Sequence, residues 1–388
     1  MEKIPLSQFI AAKKQEVSLI YLDNNATTPI LQEVHSAMKD VLDDAFGNPS
    51  SVYQIGNQAR IAIEKARGSI AHAIGALPSE IIFTGSGTES DNLALFGSAF
   101  AHKQKGKNIV ISNIEHPAVE QTAKWLEELG LECRIAPVRI VDGRVSLDAF
   151  LELMDEKTIL VSCMLANNET GLILPVADLF RKMKTKGILC HTDAVQAFGK
   201  VNVNVKELNC DLLSVSAHKI HGPKGTGALY LKRGTKLTPM IHGGSQENSR
   251  RPGTENVAGI VGFGKAVEQL GHSEEKIRNL RDYFEAELKK TFNNQVVIHN
   301  QNQPRTPNTA SVGFTGMDGN VILIKLDQKG ICVSTGSACH SGALSTSSTL
   351  LKLGIPEKTA KGTIRFSLSR WTTRRDIEDT LQALKEIV

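Results

Sequence analysis

The sequence predicts an α/β protein, with a large domain built on a mostly parallel β-sheet covered by helices on both faces and a smaller α+β domain after it. Three observations carry this expectation. From about Ile81 to Lys232, short apolar runs alternate with polar or amphipathic segments, the rhythm of repeated βα units. Residues able to do chemistry fall just after those runs, where an open parallel sheet gathers the carboxyl ends of its strands into a ligand-binding edge. Beyond about Gly264 the pattern changes to long amphipathic stretches and short strands. Length agrees, since 388 residues exceed what one core usually organises.

The strand-like runs are, in order, IIFT, NIVIS, CRIAPV, TILVSCML, GILCHTD, LLSVSAHK and GALYLK. They are near-continuous in apolar residues, as strands buried on both faces read. After them, EEKIRNLRDYFEAELKKTF predicts an amphipathic helix, QVVIHN and TASVGF short strands, GNVILIKLDQKG a second helix and RRDIEDTLQALKEIV a terminal one. The resulting division is a large domain over 29–264, a small domain over 265–388, and an N-terminal segment, 1–28, that joins the small domain. No internal repeat is visible.

Composition narrows the function classes. Hydrophobic content of 41% and charged content of 22% are ordinary for a globular chain with a large core. The net charge of +4 is spread along the chain without a basic block or interleaved aromatics, which gives direct nucleic-acid binding little support. No apolar stretch approaches the roughly 20 residues that span a bilayer, and the N-terminus lacks the pattern of a secretory signal. Cys133, Cys163, Cys190, Cys210, Cys332 and Cys339 show no CxxC pairing and no metal-type spacing with histidines. No metal site and a reducing, cytoplasmic setting are therefore expected.

The most informative pair is Asp193 and Lys219. Each closes an apolar run, and the stretch between them has room for one crossover helix, so strand, crossover and strand would bring both to one edge of a parallel sheet. A lysine and a carboxylate there suit pyridoxal phosphate, which needs an amine for its Schiff base and an acid against its ring nitrogen. Asp193 alone fits a helix N-cap equally well. In HTDAVQAFG, Gln196 follows three residues later, an amide donor within reach of the cofactor's phenolic oxygen. SAHKIHGPKG brings Ser216 and His218 beside Lys219. FTGSGTES places Gly87 and Thr88 at a strand-to-helix turn whose N–H groups attract a phosphate, although an ordinary capped turn has the same composition. His116 in EHPAV follows the strand NIVIS, so an imidazole at the same edge could stack on the cofactor ring and move protons.

Cys339 stands in a different setting. Of the sixteen residues from Ser334 to Thr349, thirteen are Ser, Thr, Gly or Ala, so the segment has little means of burying itself and is expected to be mobile. A thiol on such an arm suits attack and delivery, and neighbouring His340 would favour its thiolate if the two met.

Taken together, YLDNNATT, GNPSS, FTGSGTES, EHPAV, NNETG, HTDAVQAFGK, SAHKIHGPKG, RRPGTEN, GSACHSG and IRFSLSRWTT run in order from residue 21 to 373. This series resembles the pyridoxal-phosphate-dependent cysteine desulfurases of the iron–sulfur and nitrogenase-maturation type, within the class V aminotransferases. The resemblance implies a fold type I transferase, a homodimer with residues of both subunits in each site, and conversion of L-cysteine to L-alanine with the sulfur held as a Cys339 persulfide. By matching motifs, Lys219 forms the Schiff base, Asp193 partners the ring nitrogen, Gln196 the phenolic oxygen, and His116 stacks on the ring. Gly87, Thr88, Ser216 and His218 hold the phosphate, joined by Thr254 from the other subunit. Asn168 and Arg365 orient the substrate, the arginine clasping its carboxylate. A sulfur-acceptor protein, such as an iron–sulfur scaffold, is the implied partner. NNETG, RPGTEN and ACHS resemble selenocysteine lyases as well, and a non-catalytic sulfur-transfer scaffold of the same fold is the reading from another class.

Overall fold

The structure, a computed structural model, describes residues 19–271, 273–336 and 346–388. In chain order the strands are β1 (Ile20–Tyr21), β2 (Ile81–Thr84), β3 (Asn108–Ser112), β4 (Glu132–Ala136), β5 (Arg139–Val141), β6 (Arg144–Ser146), β7 (Thr158–Ser162), β8 (Leu189–Asp193), β9 (Leu212–Ser216), β10 (Gly227–Leu231), β11 (Val296–Ile298), β12 (Thr309–Phe314), β13 (Ile331–Cys332), β14 (Ser334–Thr335) and β15 (Thr363–Ser367).

All seven apolar runs become strands of one sheet, in the order β2-β10-β9-β8-β7-β3-β4. Pairings from β9 to β4 are parallel, and β10 alone runs against its two neighbours. In β2, β3, β7, β9 and β10 every residue is buried, which explains why their sequences show no alternation. β4 is an edge, where the charged Glu132 and Arg134 discourage pairing with another chain.

The β8-to-β9 connection departs from the expected crossover helix. It runs mainly as turns with one short helix, Val205–Leu208, because Gly199 takes a left-handed conformation (φ 73°) and ends the regular stretch. β8 and β9 pair in parallel all the same, with Asp193 opposite Ser214.

Helices cover the sheet and carry its core. Helix Gly87–Ala101 lies against β7 to β10 and buries Leu93, Ala94, Leu95 and Ala99. Helix Val257–Glu268 packs on Gln32–Asp44 and Gln54–Ala73. Its small residues permit close approach, since a Cβ at Gly264 would sit 2.6 Å from that of Ala66. Among the described residues no helix is long and apolar enough to cross a membrane.

A second, antiparallel sheet has the order β11-β12-β15-β14. Helices Glu274–Phe292, Gly319–Gln328 and Arg374–Ile387 bury Phe284, Leu288, Ile322, Leu326, Ile377 and Leu384 in a core shared with Val312, Phe314, Ile364 and Phe366 of this sheet. The start of the described chain belongs to that core. β1 pairs in parallel with β13, Leu22 is fully buried, and Asp23 bridges to Ser367.

Phe284 and Phe366 are both fully buried and meet edge to face, with centroids 4.9 Å apart at 73°. Phe284→Ala should therefore lower stability by about 3–5 kcal/mol in chemical denaturation. A loss below about 1 kcal/mol would show that this pair does not anchor the second core.

Candidate active site

Parallel pairing brings the ends of β3, β7, β8 and β9 to one edge, and β2 runs in the same direction. Asp193 is the last residue of β8, and Lys219 lies in the single turn Ala217–Lys219 after β9. Beyond β2, Ser86 caps the helix that begins at Gly87 by accepting the N–H of Glu89 at 3.1 Å. Beyond β3, His116 caps helix Pro117–Glu128, its Nδ1 accepting the Ala118 N–H at 3.1 Å. That bond leaves Nε2 as the protonated nitrogen of the neutral ring.

Lys219 Nζ donates to the main-chain oxygens of Asn25 (2.6 Å) and Ala26 (2.8 Å). Gln196 Nε2 donates to the same Asn25 oxygen at 2.9 Å, and Lys200 Nζ reaches Gln196 Oε1 (2.6 Å) and Asn25 Oδ1 (3.0 Å). Asp193 is buried and accepts the Val195 N–H at 2.8 Å.

A buried acidic cluster adjoins Asp193. Burial raises the pKa of Asp193, against the pull of His116, the Val195 N–H and Lys219. Asp91 is pushed well above the usual carboxylate range by burial and by the charge of Asp193. The Lys219 amine and the Val195 N–H favour a charge on Asp193, whereas at Asp91 the help comes from the Ser214 hydroxyl, so Asp193 keeps the charge while Asp91 keeps the proton. His191 links the two elements: Nδ1 lies 2.8 Å from Ser162 Oγ, and Nε2 lies 3.1 Å from Ser214 Oγ and 3.5 Å from Asp91 Oδ1. Burial pushes it down to about 3, so it is neutral. Glu115 Oε1 accepts from Ser112 Oγ (2.5 Å) and from the Met164 N–H (2.8 Å), yet burial pushes its carboxyl up to about 8.

A phosphorylated cofactor fits the neighbouring groups. Ser216 Oγ is buried and makes no hydrogen bond. It adjoins Gly87, where an added Cβ would lie 3.4 Å from Ser216 Cβ and 2.8 Å from Val195 Cγ2. The Gly87 and Thr88 N–H groups at the helix start, together with the orphaned hydroxyl, form a donor set for phosphate oxygens. His218 Nδ1 is 3.2 Å from Thr27 Oγ1, and burial with Lys219 and Lys224 nearby pushes its ring down to about 4.

Arg365 on β15 is buried opposite this edge. Its Nη1 donates to the Asn168 carbonyl at 3.0 Å and its Nη2 to Asp23 Oδ1 at 2.7 Å, while Nε is buried without a hydrogen bond. The NNETG turn that supplies Asn168 also holds Glu169, which is buried and accepts from Ser347 Oγ at 2.5 Å. A methyl group at Gly336 would run into the same Glu169 oxygen. Gly336 follows β14, where Ser334 sits opposite Arg365. The described residues on both sides of 337–345 thus meet at Glu169.

Cys339 and His340 fall outside the described residues. Thr254 is exposed in the loop before helix Val257–Glu268. The remaining residues singled out from sequence, Gly87, Thr88, His116, Asn168, Asp193, Gln196, Ser216, His218, Lys219 and Arg365, lie on this sheet edge or on the segments packed against it. Sequence reasoning missed Asn25, Lys200, Glu169, Asp91 and Glu115 as parts of the site. Asn25, Glu169, Lys200, Asp91 and Glu115 all stood inside or beside recognised motifs, but none carried a local pattern of its own.

The aminotransferase class-V family matches residues 20–380. A cysteine desulfurase IscS of Dictyoglomus turgidum is 48% identical over 373 residues, covering 95% of this chain and 94% of that protein. One of the same name from Methanosarcina thermophila is 45% identical, covering 96% and 93%. The chain belongs to the NifS-like cysteine desulfurases of class V. Among solved structures, one described as a NifS-like protein is 37% identical with a TM-score of 0.87, covering 95% of this chain and 99% of its own. Another, described as SspA in complex with cysteine, is 33% identical with a TM-score of 0.80, covering 91% and 100%. The fold is accordingly the fold type I architecture of pyridoxal-phosphate enzymes, with its one antiparallel strand in the large sheet.

In this desulfurase-family site Glu115 makes a testable electrostatic statement. The unfolded chain releases this proton near 4.5, whereas the fold retains it up to about 8. Between those values the folded state binds more protons, so rising pH favours unfolding. Relative to Glu115→Gln, the wild-type chain without cofactor should lose stability from about pH 5 to 8, by up to about 1.4 kcal/mol per pH unit. Parallel stability–pH curves in denaturant titrations would contradict a protonated Glu115.

Proposed function

We propose that this chain is a pyridoxal-phosphate-dependent cysteine desulfurase that converts L-cysteine to L-alanine and holds the sulfur as a persulfide on Cys339. The observation that carries the reading is the meeting of Asp193 and Lys219 at the ends of adjacent parallel strands, with Gln196 bonded to the same Asn25 oxygen as Lys219. In this reading Gly87, Thr88, Ser216 and His218 hold the phosphate, with Thr254 of a second subunit. Asp193 would partner the ring nitrogen, Gln196 the phenolic oxygen and His116 the ring face, and Lys219 would be the covalent anchor. When bound, the cofactor supplies an electron sink that makes the substrate's α-proton removable.

The chain's own groups do the rest. Arg365 binds the substrate carboxylate, replacing one of its present acceptors, with Asn168 beside it. His116 and Lys219 Nζ are the groups that would hold and move protons at the reacting carbon. The Cys339 thiolate attacks the substrate sulfur. An S–S bond forms, the substrate C–S bond breaks with its electron pair going to carbon, and protonation of that carbon yields alanine.

Several features support the wider reading. Phe46, Val52 and Tyr53 are exposed at 76%, 100% and 58%, and Leu42 and Ile61 on the flanking helices are exposed as well, apolar side chains of the kind a homodimer interface would cover. The separate cores of the two sheets, and the pairing of β1 with β13, favour division near residue 264 with residues 1–28 joining the small domain. A cytoplasmic enzyme passing sulfur to an acceptor such as an iron–sulfur scaffold completes the proposal.

Lys219→Ala should lose the visible absorbance of bound cofactor and reduce alanine formation by at least about a hundredfold. Cys339→Ser should keep that absorbance and its change on adding cysteine, yet form no persulfide, because a hydroxyl is a poor nucleophile toward sulfur at neutral pH. A Lys219→Ala protein with both absorbance and turnover intact would refute the anchor. Turnover surviving in Cys339→Ser would refute the nucleophile.

A further inference from the structure

Lys200 lies four residues after Gln196 and takes no part in the roles assigned above. Its surroundings fix the orientation of two amides without ambiguity. Asn25 Nδ2 donates to the main-chain oxygen of Asn168 at 3.2 Å, a group that can only accept. Asn25 Oδ1 must then face the other way, toward Lys200 Nζ at 3.0 Å and Asn308 Nδ2 at 2.9 Å. Gln196 Nε2 donates to the main-chain oxygen of Asn25 at 2.9 Å, which likewise can only accept, so Gln196 Oε1 faces Lys200 at 2.6 Å. The Lys200 amine therefore meets two acceptors and serves both as donor. Gln196 has one N–H committed to Asn25 and one left for a ligand.

The Lys200 amine sits where a charge is costly. Burial drives its pKa well below the usual lysine range, and Lys219 and Arg365 add repulsion. His218 and His221 also feel its charge. Glu274 and Arg370 line a small cavity that both Lys200 and Lys219 border, and Arg278 lines another next to Lys200. An amine kept in so unfavourable a place for charge, and tied to two amides of the site, has a use beyond solubility.

We infer that Lys200 is a positioning residue. It pins Oε1 of Gln196 so that the amide offers its N–H to the cofactor's phenolic oxygen, and through Asn25 it ties that amide to the carbonyl that holds Lys219. The inference rests on the pyridoxal-phosphate reading above. If the amide were free to turn, its oxygen would meet the phenolic oxygen and the contact would become repulsive.

The test is a pH titration of the visible absorbance of the holoenzyme, with cofactor affinity measured alongside. Lys200→Met removes the donor that holds Gln196 Oε1 and leaves the amide to the Asn25 carbonyl alone. A loosely held amide donates less well to the phenolic oxygen, which favours the protonated form of the cofactor anchored on Lys219, so the midpoint should rise by about half a pH unit or more, and affinity for pyridoxal phosphate should weaken about five- to tenfold. Lys200→Arg should restore both values. In a Gln196→Ala background, Lys200→Met should add little to the loss of affinity, because the residue acts through that amide. Lys200→Gln keeps an N–H donor without charge and should retain most of the affinity, which keeps the test decisive if the methionine variant folds poorly. Wild-type midpoint and affinity in Lys200→Met, or full additivity with Gln196→Ala, would overturn the inference alone. A wild-type chain that takes up no pyridoxal phosphate would overturn this inference together with the reading beneath it.

Discussion

The site depends on Asn25. Its main-chain oxygen accepts from Lys219 and Gln196, its side-chain oxygen from Lys200 and Asn308, and its amide nitrogen donates to Asn168 and Thr309. Its own N–H donates to Ser367 Oγ at 2.9 Å. One residue of the N-terminal segment thereby joins the edge of the parallel sheet, the NNETG turn and the second sheet. Each partner is buried or partly buried, and a buried polar group left unpaired costs roughly 1–3 kcal/mol, so Asn25 holds the two sheets in a register that hydrophobic contact alone would leave loose. The arrangement also explains why the chain's first described strand pairs with β13 and not with the large sheet. That pairing delivers residues 23–26 to the gap between Lys219 and Arg365.

The chemistry needs charges that burial opposes. In the proposed reading Asp193 must stay ionised in the interior, and its surroundings favour this because the neighbouring groups do not compete for charge. Asp91 and Glu115 are held protonated and His191 neutral. Arg365 donates to Asn168 and Asp23, while its buried Nε makes no hydrogen bond. The NNETG turn is shared between two tasks, since Asn168 meets Arg365 while Glu169 meets Ser347 beside Gly336. The Arg365 contact and the described residues on either side of 337–345 therefore rest on adjacent residues.

Much of this was legible in the sequence, and for a physical reason. Strands buried on both faces must be apolar throughout, so β2, β3, β7, β9 and β10 announced themselves, and residues placed just beyond them had to share an edge. Asp193 and Lys219 followed from that rule. The β5–β6 hairpin was overlooked although Asp142 and Gly143 carry its signal, both with positive φ. A crossover helix was expected where Gly199 imposes turns. Asn25, Lys200 and Glu169 escaped because their meaning lies in contacts 175 to 284 residues away, such as Lys200 to Asn25, Glu169 to Ser347 and Asn25 to Thr309, which no local period can encode. Cys339 was found from composition and by resemblance, and lies outside the described residues.

The central claim is that sulfur leaves cysteine and comes to rest on one thiol of this chain. The direct measurement is peptide mass spectrometry of the wild-type holoenzyme, quenched with an alkylating agent after brief exposure to L-cysteine. The account predicts one added sulfur atom on the peptide containing Cys339, with alanine released in equal amount. An added sulfur on the Cys332 peptide instead, or alanine formed with no sulfur on any cysteine, would contradict it.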